Sequence, residues 1–188
     1  MKSAVSQCRS VFVSTFRGDR SALAKRVRKE LDDQKHGRGN GPKPIECLLY
    51  AGHTGVSIDR KRTIYGFNPN FGKAPLWQAM ERLRNGEAFR GVVLDDTQVF
   101  LAAAQRGLTV LTFEVIMPNP DFRAFQRKLS AERKSSRFSY GFPDGNGDCN
   151  CTTWLERLSL PLLTGSMDEF MDLIGFNLYP SRRFGECV

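Results

Sequence analysis

Asp148-Cys149-Asn150-Cys151-Thr152-Thr153-Trp154 is the stretch on which the fold turns. A loop rich in Gly and Asp, 141–148, runs into what reads as a helix start, and Cys151 sits at that start. The unpaired N–H groups and dipole of a first helical turn favour thiolate over thiol, so a cysteine placed there is acidified. A base is available far upstream. His53, in Ala51-Gly52-His53-Thr54-Gly55, is one of only two histidines in the chain. Cys149 is the rival nucleophile, although it lies earlier in the loop with less help from the helix. A structural thiol at Cys151 is the competing account, because free cysteine is among the most buried residue types.

Around His53, residues 45–59 form an apolar stretch that passes into alternation and reads as a strand, with Cys47 ahead of the histidine. His53, Gly55, Ser57 and Asp59 share one face; Thr54, Val56 and Ile58 share the other. Arg60-Lys61 marks a turn tip, and Thr63 to Asn68 resumes as a second strand. Setting Asp59 against Arg62 pairs Val56 with Tyr65, Gly55 with Gly66 and His53 with Asn68. An Asn would then lie about 5 Å across from the base, where it could set the tautomer and aim of the imidazole. The facing glycines leave room for another element to approach the sheet.

The rest of the chain supplies ordinary elements. Val11 to Val13 reads as a strand, and Ser21 opens a basic helix with Leu23, Val27 and Leu31 on one stripe. Residues 34–44 are a Gly/Pro-rich loop holding His36, expected to be exposed. Helices are predicted from Pro75 to Arg84 and from Asp95 or Asp96 to Gly107. The second carries Val99, Phe100, Ala103 and Ala104 inward, and helix capping accounts for both aspartates without chemistry. Leu108 to Met117 reads as a strand, and Asn119 opens a helix with Phe122, Phe125 and Leu129 inward. Phe138 to Phe142 is a last strand. The Cys151 helix ends before Pro161, and a capping box at Ser166 opens a final helix through Ile174.

At 188 residues the chain suits one domain: an N-terminal strand, basic helix and loop over 1–44, joined to a catalytic part over 45–188. Hydrophobic content of 40% and charged content of 26% are those of a soluble globular protein. No apolar run approaches the ~20 residues of a membrane helix, and the N-terminus makes a poor secretory signal. The chain is therefore expected to be made in the cytoplasm and to leave it only through a specialised secretion system. Five scattered cysteines imply no disulfide framework, and no spacing suits zinc; neither metal nor cofactor is expected. The net charge of +8 points to acidic partners. Nucleic acid is not expected among them, since the aromatics form no platform with Lys and Arg.

Taken together, Gly52-His53-Thr54-Gly55-Val56-Ser57-Ile58, a following strand with a polar residue, a later Tyr-containing strand and Asn150-Cys151 opening a helix carry a resemblance. The arrangement resembles the circularly permuted papain-like hydrolases, which are the NlpC-type peptidases and their relatives of the lecithin retinol acyltransferase type. The resemblance runs from Tyr50 to Leu158. It implies an α+β, permuted papain-like fold whose small antiparallel sheet packs against the nucleophile-bearing helix. It also implies Cys151 as nucleophile, His53 as base and Asn68 as polar orienter, with Tyr140, Asn150 and Tyr65 as oxyanion or substrate contacts. The acyltransferase branch has a second histidine on the following strand, where this chain has Tyr65 and Asn68. The implied activity is cleavage of an amide in peptidoglycan peptides or in a protein, as by a bacterial effector with an immunity-type inhibitor. Acyl transfer or deamidation on the same fold is an alternative, and so is a non-enzymatic basic binding domain.

Overall fold

The computed structural model describes residues 8–19, 21–141 and 147–158. The expected helix at Ser166, the stop at Pro161, Cys187 and the strand end at Phe142 lie outside the described residues. The six strands are β1 (Cys8–Arg17), β2 (Gly52–Ser57), β3 (Tyr65–Pro69), β4 (Phe89–Asp95), β5 (Val110–Pro118) and β6 (Ser139–Tyr140). They form one sheet in the order β5-β1-β2-β3-β4-β6, with every neighbouring pair antiparallel. The helices are α1 (Ala22–Lys35), α2 (Pro44–Ala51), α3 (Leu76–Arg84), α4 (Thr97–Gln105), α5 (Asn119–Lys134) and α6 (Thr153–Arg157). The class is α+β.

Alternation along β1 sends side chains into two cores, one on each face of the sheet. Val11 and Val13 join Val56, Phe67, Val115 and Met117 against Phe125 and Leu129 of α5 and Trp154 and Leu155 of α6. On the opposite face Phe16 and Ile64 meet Leu23 and Val27 of α1, Leu49 of α2 and Val99, Phe100 and Ala103 of α4. The N-terminal strand is therefore interior to the sheet, paired with β2 on one side and β5 on the other.

The β2–β3 register is the one that alternation required: Gly55 opposes Gly66 and Val56 opposes Tyr65. Two local expectations fail, and one strand was not expected. Residues 44–51, Cys47 included, are helix rather than strand. Pro44 starts the helix, the Glu46 carboxylate accepts from the Lys43 N–H at 3.1 Å, and Gly52 ends it at φ 87°. An apolar run this short carries no period that separates helix from strand, so these end signals decide. Strand β4 is absent from the sequence reading altogether. Ala104 faces outward, leaving Val99, Phe100 and Ala103 as the buried stripe of α4.

Candidate active site

His53 leaves β2 on the α4 face of the sheet and is 1% exposed. Its Nε2 lies 2.8 Å from Oδ2 of Asp96, and the same oxygen accepts from Nδ2 of Asn68 at 2.7 Å. Asp96 follows β4 directly and is tied to the residue ahead of β3 by its N–H, which donates to the Ile64 carbonyl at 2.8 Å. It occupies the N-cap position of α4, yet its side chain makes no cap hydrogen bond. Asp95 does that work: its Oδ1 accepts from the Thr97 N–H at 3.0 Å and the Thr97 hydroxyl at 2.6 Å. Capping thus accounts for Asp95 and not for Asp96.

Asn68 is placed differently from the expected cross-strand partner of the imidazole. Its amide donates to Asp96 Oδ2 and to the Gly66 carbonyl, so it holds the carboxylate that in turn holds the ring. A carboxylate offers the imidazole N–H a charged acceptor, which is stronger than an amide oxygen. Gly66 makes the arrangement possible. A Cβ on it would overlap both Asp96 Oδ2 and His53 Nε2, so the open space beside the facing glycines is filled by the Asp96 side chain.

Cys151 lies in a turn ahead of α6, whose N-cap is Thr152. The dipole of a five-residue helix that starts two residues later is not what acidifies it. Asn150 Oδ1 already accepts the N–H groups of Thr152 and Thr153, each at 2.9 Å, which makes Asn150 the cap of this turn. The sulfur instead hydrogen-bonds His53 and accepts from the N–H of Thr54 and the hydroxyl of Thr152, 3.9 Å away. With Nε2 committed to Asp96, Nδ1 is the ring nitrogen left for the sulfur. Thr152 is anchored in turn by Thr54, Oγ1 to Oγ1 at 3.1 Å, and Thr54 by Thr15 at 3.0 Å.

These contacts decide the charge state. Burial opposes a thiolate at Cys151, but the hydrogen bond and positive charge of His53, with the Thr54 N–H, outweigh it and hold the thiol below its ordinary value. Burial likewise opposes protonation of His53, and the hydrogen bonds to Asp96 and Cys151 together with their charges raise it to about 10. Each group therefore favours ionisation of the other, the thiolate at Cys151 and the imidazolium at His53. Cys149 is in the opposite condition. It is 4% exposed within the α5–α6 core, and burial pushes its thiol up to about 12.

Tyr140, on β6, brings its hydroxyl to both the side chain and the backbone of Cys151. Tyr65 is elsewhere: its ring lies under the Arg133 guanidinium, 4.1 Å from the centroid, and packs with the α5–α6 core. A cavity of about 300 Å³ is lined by Cys151, Asn150, Asp96, Asn68 and Tyr140 together with side chains of α2 and α3. Among the described residues no group of three or more His, Cys, Asp or Glu is arranged to hold a metal, and no helix is long and apolar enough to cross a membrane.

Sequence reasoning passed over Asp96, Thr54, Thr152 and the role of Gly66. One signal was present: a helix needs a single capping carboxylate, and this chain offers two after the apolar run Val92-Val93-Leu94. No protein family, curated protein or solved structure matches the chain, so the geometry of the site is what bears on its chemistry.

Proposed function

We propose that the protein is a cysteine-dependent hydrolase that cleaves an amide bond through Cys151, His53 and Asp96, with Asn68 positioning Asp96. One observation carries the reading: a buried thiol held below its ordinary value by a histidine that is itself raised by a buried carboxylate. A thiol kept only for packing does not need this. Cys149, raised by burial to about 12, is the contrasting case within the same chain. The order of the chain, with a strand-borne histidine preceding the cysteine, supports a permuted papain-like arrangement.

The Cys151 thiolate attacks the carbonyl carbon; a C–S bond forms and the carbonyl electrons move to oxygen. The Tyr140 hydroxyl, which reaches both the side chain and the backbone of Cys151, and the Cys151 N–H donate to that oxyanion. Collapse breaks the C–N bond, and the amine leaves with the proton of the His53 imidazolium. Neutral His53 then takes a proton from water as it attacks the thioester. Sulfur departs, the acid is released and the ion pair is restored. Asp96 keeps the ring aligned and its positive charge compensated throughout.

Incubation with a panel of peptide amides and activated esters, read by mass spectrometry, tests the proposal. Cys151→Ala and His53→Ala should each abolish turnover with the circular dichroism spectrum retained, and the wild type should show an acyl adduct on Cys151. Undiminished turnover by Cys151→Ala would overturn it.

A further inference from the structure

Among the described residues that line the cavity of about 300 Å³, the side chains bearing oxygen or nitrogen are Asn68, Asp96, Tyr140 and Asn150. Ile45 and Leu48 of α2, Leu76, Met80 and Leu83 of α3 and Val99 of α4 line the rest. Among the described lining residues there is no Lys, Arg or Glu, and the one carboxylate among them, Asp96, is already bonded to His53 and Asn68. A charged or amide-bearing group entering this space would lose its water and find no partner. A hydrocarbon group loses nothing comparable and gains roughly fourfold in affinity for each methylene it buries.

Resting on the cysteine-hydrolase reading, we infer that the substrate is an apolar acyl donor. Its hydrocarbon group occupies the cavity between α2 and α3, and its carbonyl carbon lies at Cys151 Sγ. At ~30 Å³ per heavy atom the space accommodates a chain or ring of up to about ten atoms. The acyl side of the scissile bond is then a hydrocarbon chain or an apolar amino-acid side chain, and carboxylate-rich stem peptides of peptidoglycan do not match it. Both sources share the same chemistry: a thioester forms between hydrocarbon-bearing carbonyl and sulfur while the bond to oxygen or nitrogen breaks.

The cavity can be probed on the full chain without turnover, using alkyl methanethiosulfonates. The Cys151 thiolate displaces methanesulfinate and becomes a mixed disulfide with the alkylthio group. Relative to glutathione, the rate at Cys151, located by mass spectrometry, should rise roughly twofold to fourfold per methylene from methyl to octyl. The negatively charged sulfonatoethyl reagent should react more slowly than the ethyl one. In Met80→Trp, which narrows the cavity, the octyl-to-methyl rate ratio should fall toward one. A flat chain-length profile, or preference for the charged reagent, overturns the inference while leaving the hydrolase reading intact. A Cys151 no more reactive than in denatured protein overturns the hydrolase reading beneath it. Turnover of nitrophenyl esters from acetate to octanoate, against coumarin amides of N-acylated Ala, Leu, Phe and Glu, separates the sources. Rising rates along the ester series assign an aliphatic acyl chain, and Leu and Phe above Ala and Glu assign an apolar side chain. Equal rates across both series contradict the inference.

Discussion

At the scale of single residues, the site depends on a carboxylate that a helix cap would not have required. Asp96 Oδ2 receives both the His53 ring and the Asn68 amide. Asp96→Asn keeps the shape and removes the charge, so the imidazolium loses its compensation and the thiolate its partner. Turnover should drop on the order of 10²–10⁴-fold, and alkylation of Cys151 should move toward the ordinary thiol range near pH ~8.5. Asn68→Ala should cost less, about tenfold, because the carboxylate remains and only its aim suffers. The wild-type pH profile follows from the same contacts. Cys151 is held below its ordinary value, so iodoacetamide should label it well below pH ~8.5. Cys47 and Cys149, each raised by burial to about 12, should stay unlabelled there. Hydrolysis needs the imidazolium as acid, and it should fall as pH rises through about 10. Site-resolved mass spectrometry and a pH–rate profile check both limbs.

At the scale of elements, the β2–β3 pair and the β4–α4 junction build the site between them. Gly66 faces Gly55 across β2–β3 and Leu94 across β3–β4, and it leaves the volume in which His53 meets Asp96. Gly66→Ala puts a methyl into that volume. It should destabilise the fold by about 1–3 kcal/mol, the usual cost of overpacking, and return Cys151 alkylation to the free-thiol pH range. Urea unfolding and the alkylation profile measured on one sample distinguish loss of the ion pair from loss of the fold. Helix α2 has a second role, because its end at Gly52, φ 87°, delivers the chain directly into β2 one residue before His53.

At the scale of the whole molecule, the sheet separates two cores, and the Cys151 turn joins them. Thr54 points to the α6 side and bonds Thr152, while His53 points to the α4 side and bonds Asp96. Cys151, accepting from the Thr54 N–H between them, is positioned by both layers at once. Phe67 joins the sheet to α6: its ring stacks on Trp154 at 5.5 Å and 11° between planes, and both are fully buried. Phe67→Ala should cost about 3–5 kcal/mol of stability. It should also slow Cys151 alkylation under native conditions, because α6 and the turn before it lose their seat. Denaturant titration and native-state alkylation read the two effects separately.

Much of this was written in local pattern. The Gly55–Gly66 register followed from strict alternation around a charged turn, because a one-residue slip would have exchanged the buried and exposed faces of both strands. His53 and Cys151 stood out because their residue types are scarce and reactive, and α1, α3 and α5 were legible from their apolar stripes. What local pattern lacked was the partner of each polar group. Asp96 reads as a cap until β4 is seen to place it beside His53. Asn68 reads as a partner of the ring until that carboxylate intervenes. Cys151 reads as acidified by a helix until the Thr54 N–H and His53 are found at its sulfur. The sequence by itself determined the α+β alternation of apolar faces and the residues able to react. Only the tertiary structure decided which of them touch, because hydrogen bonds between residues distant along the chain leave no period in it.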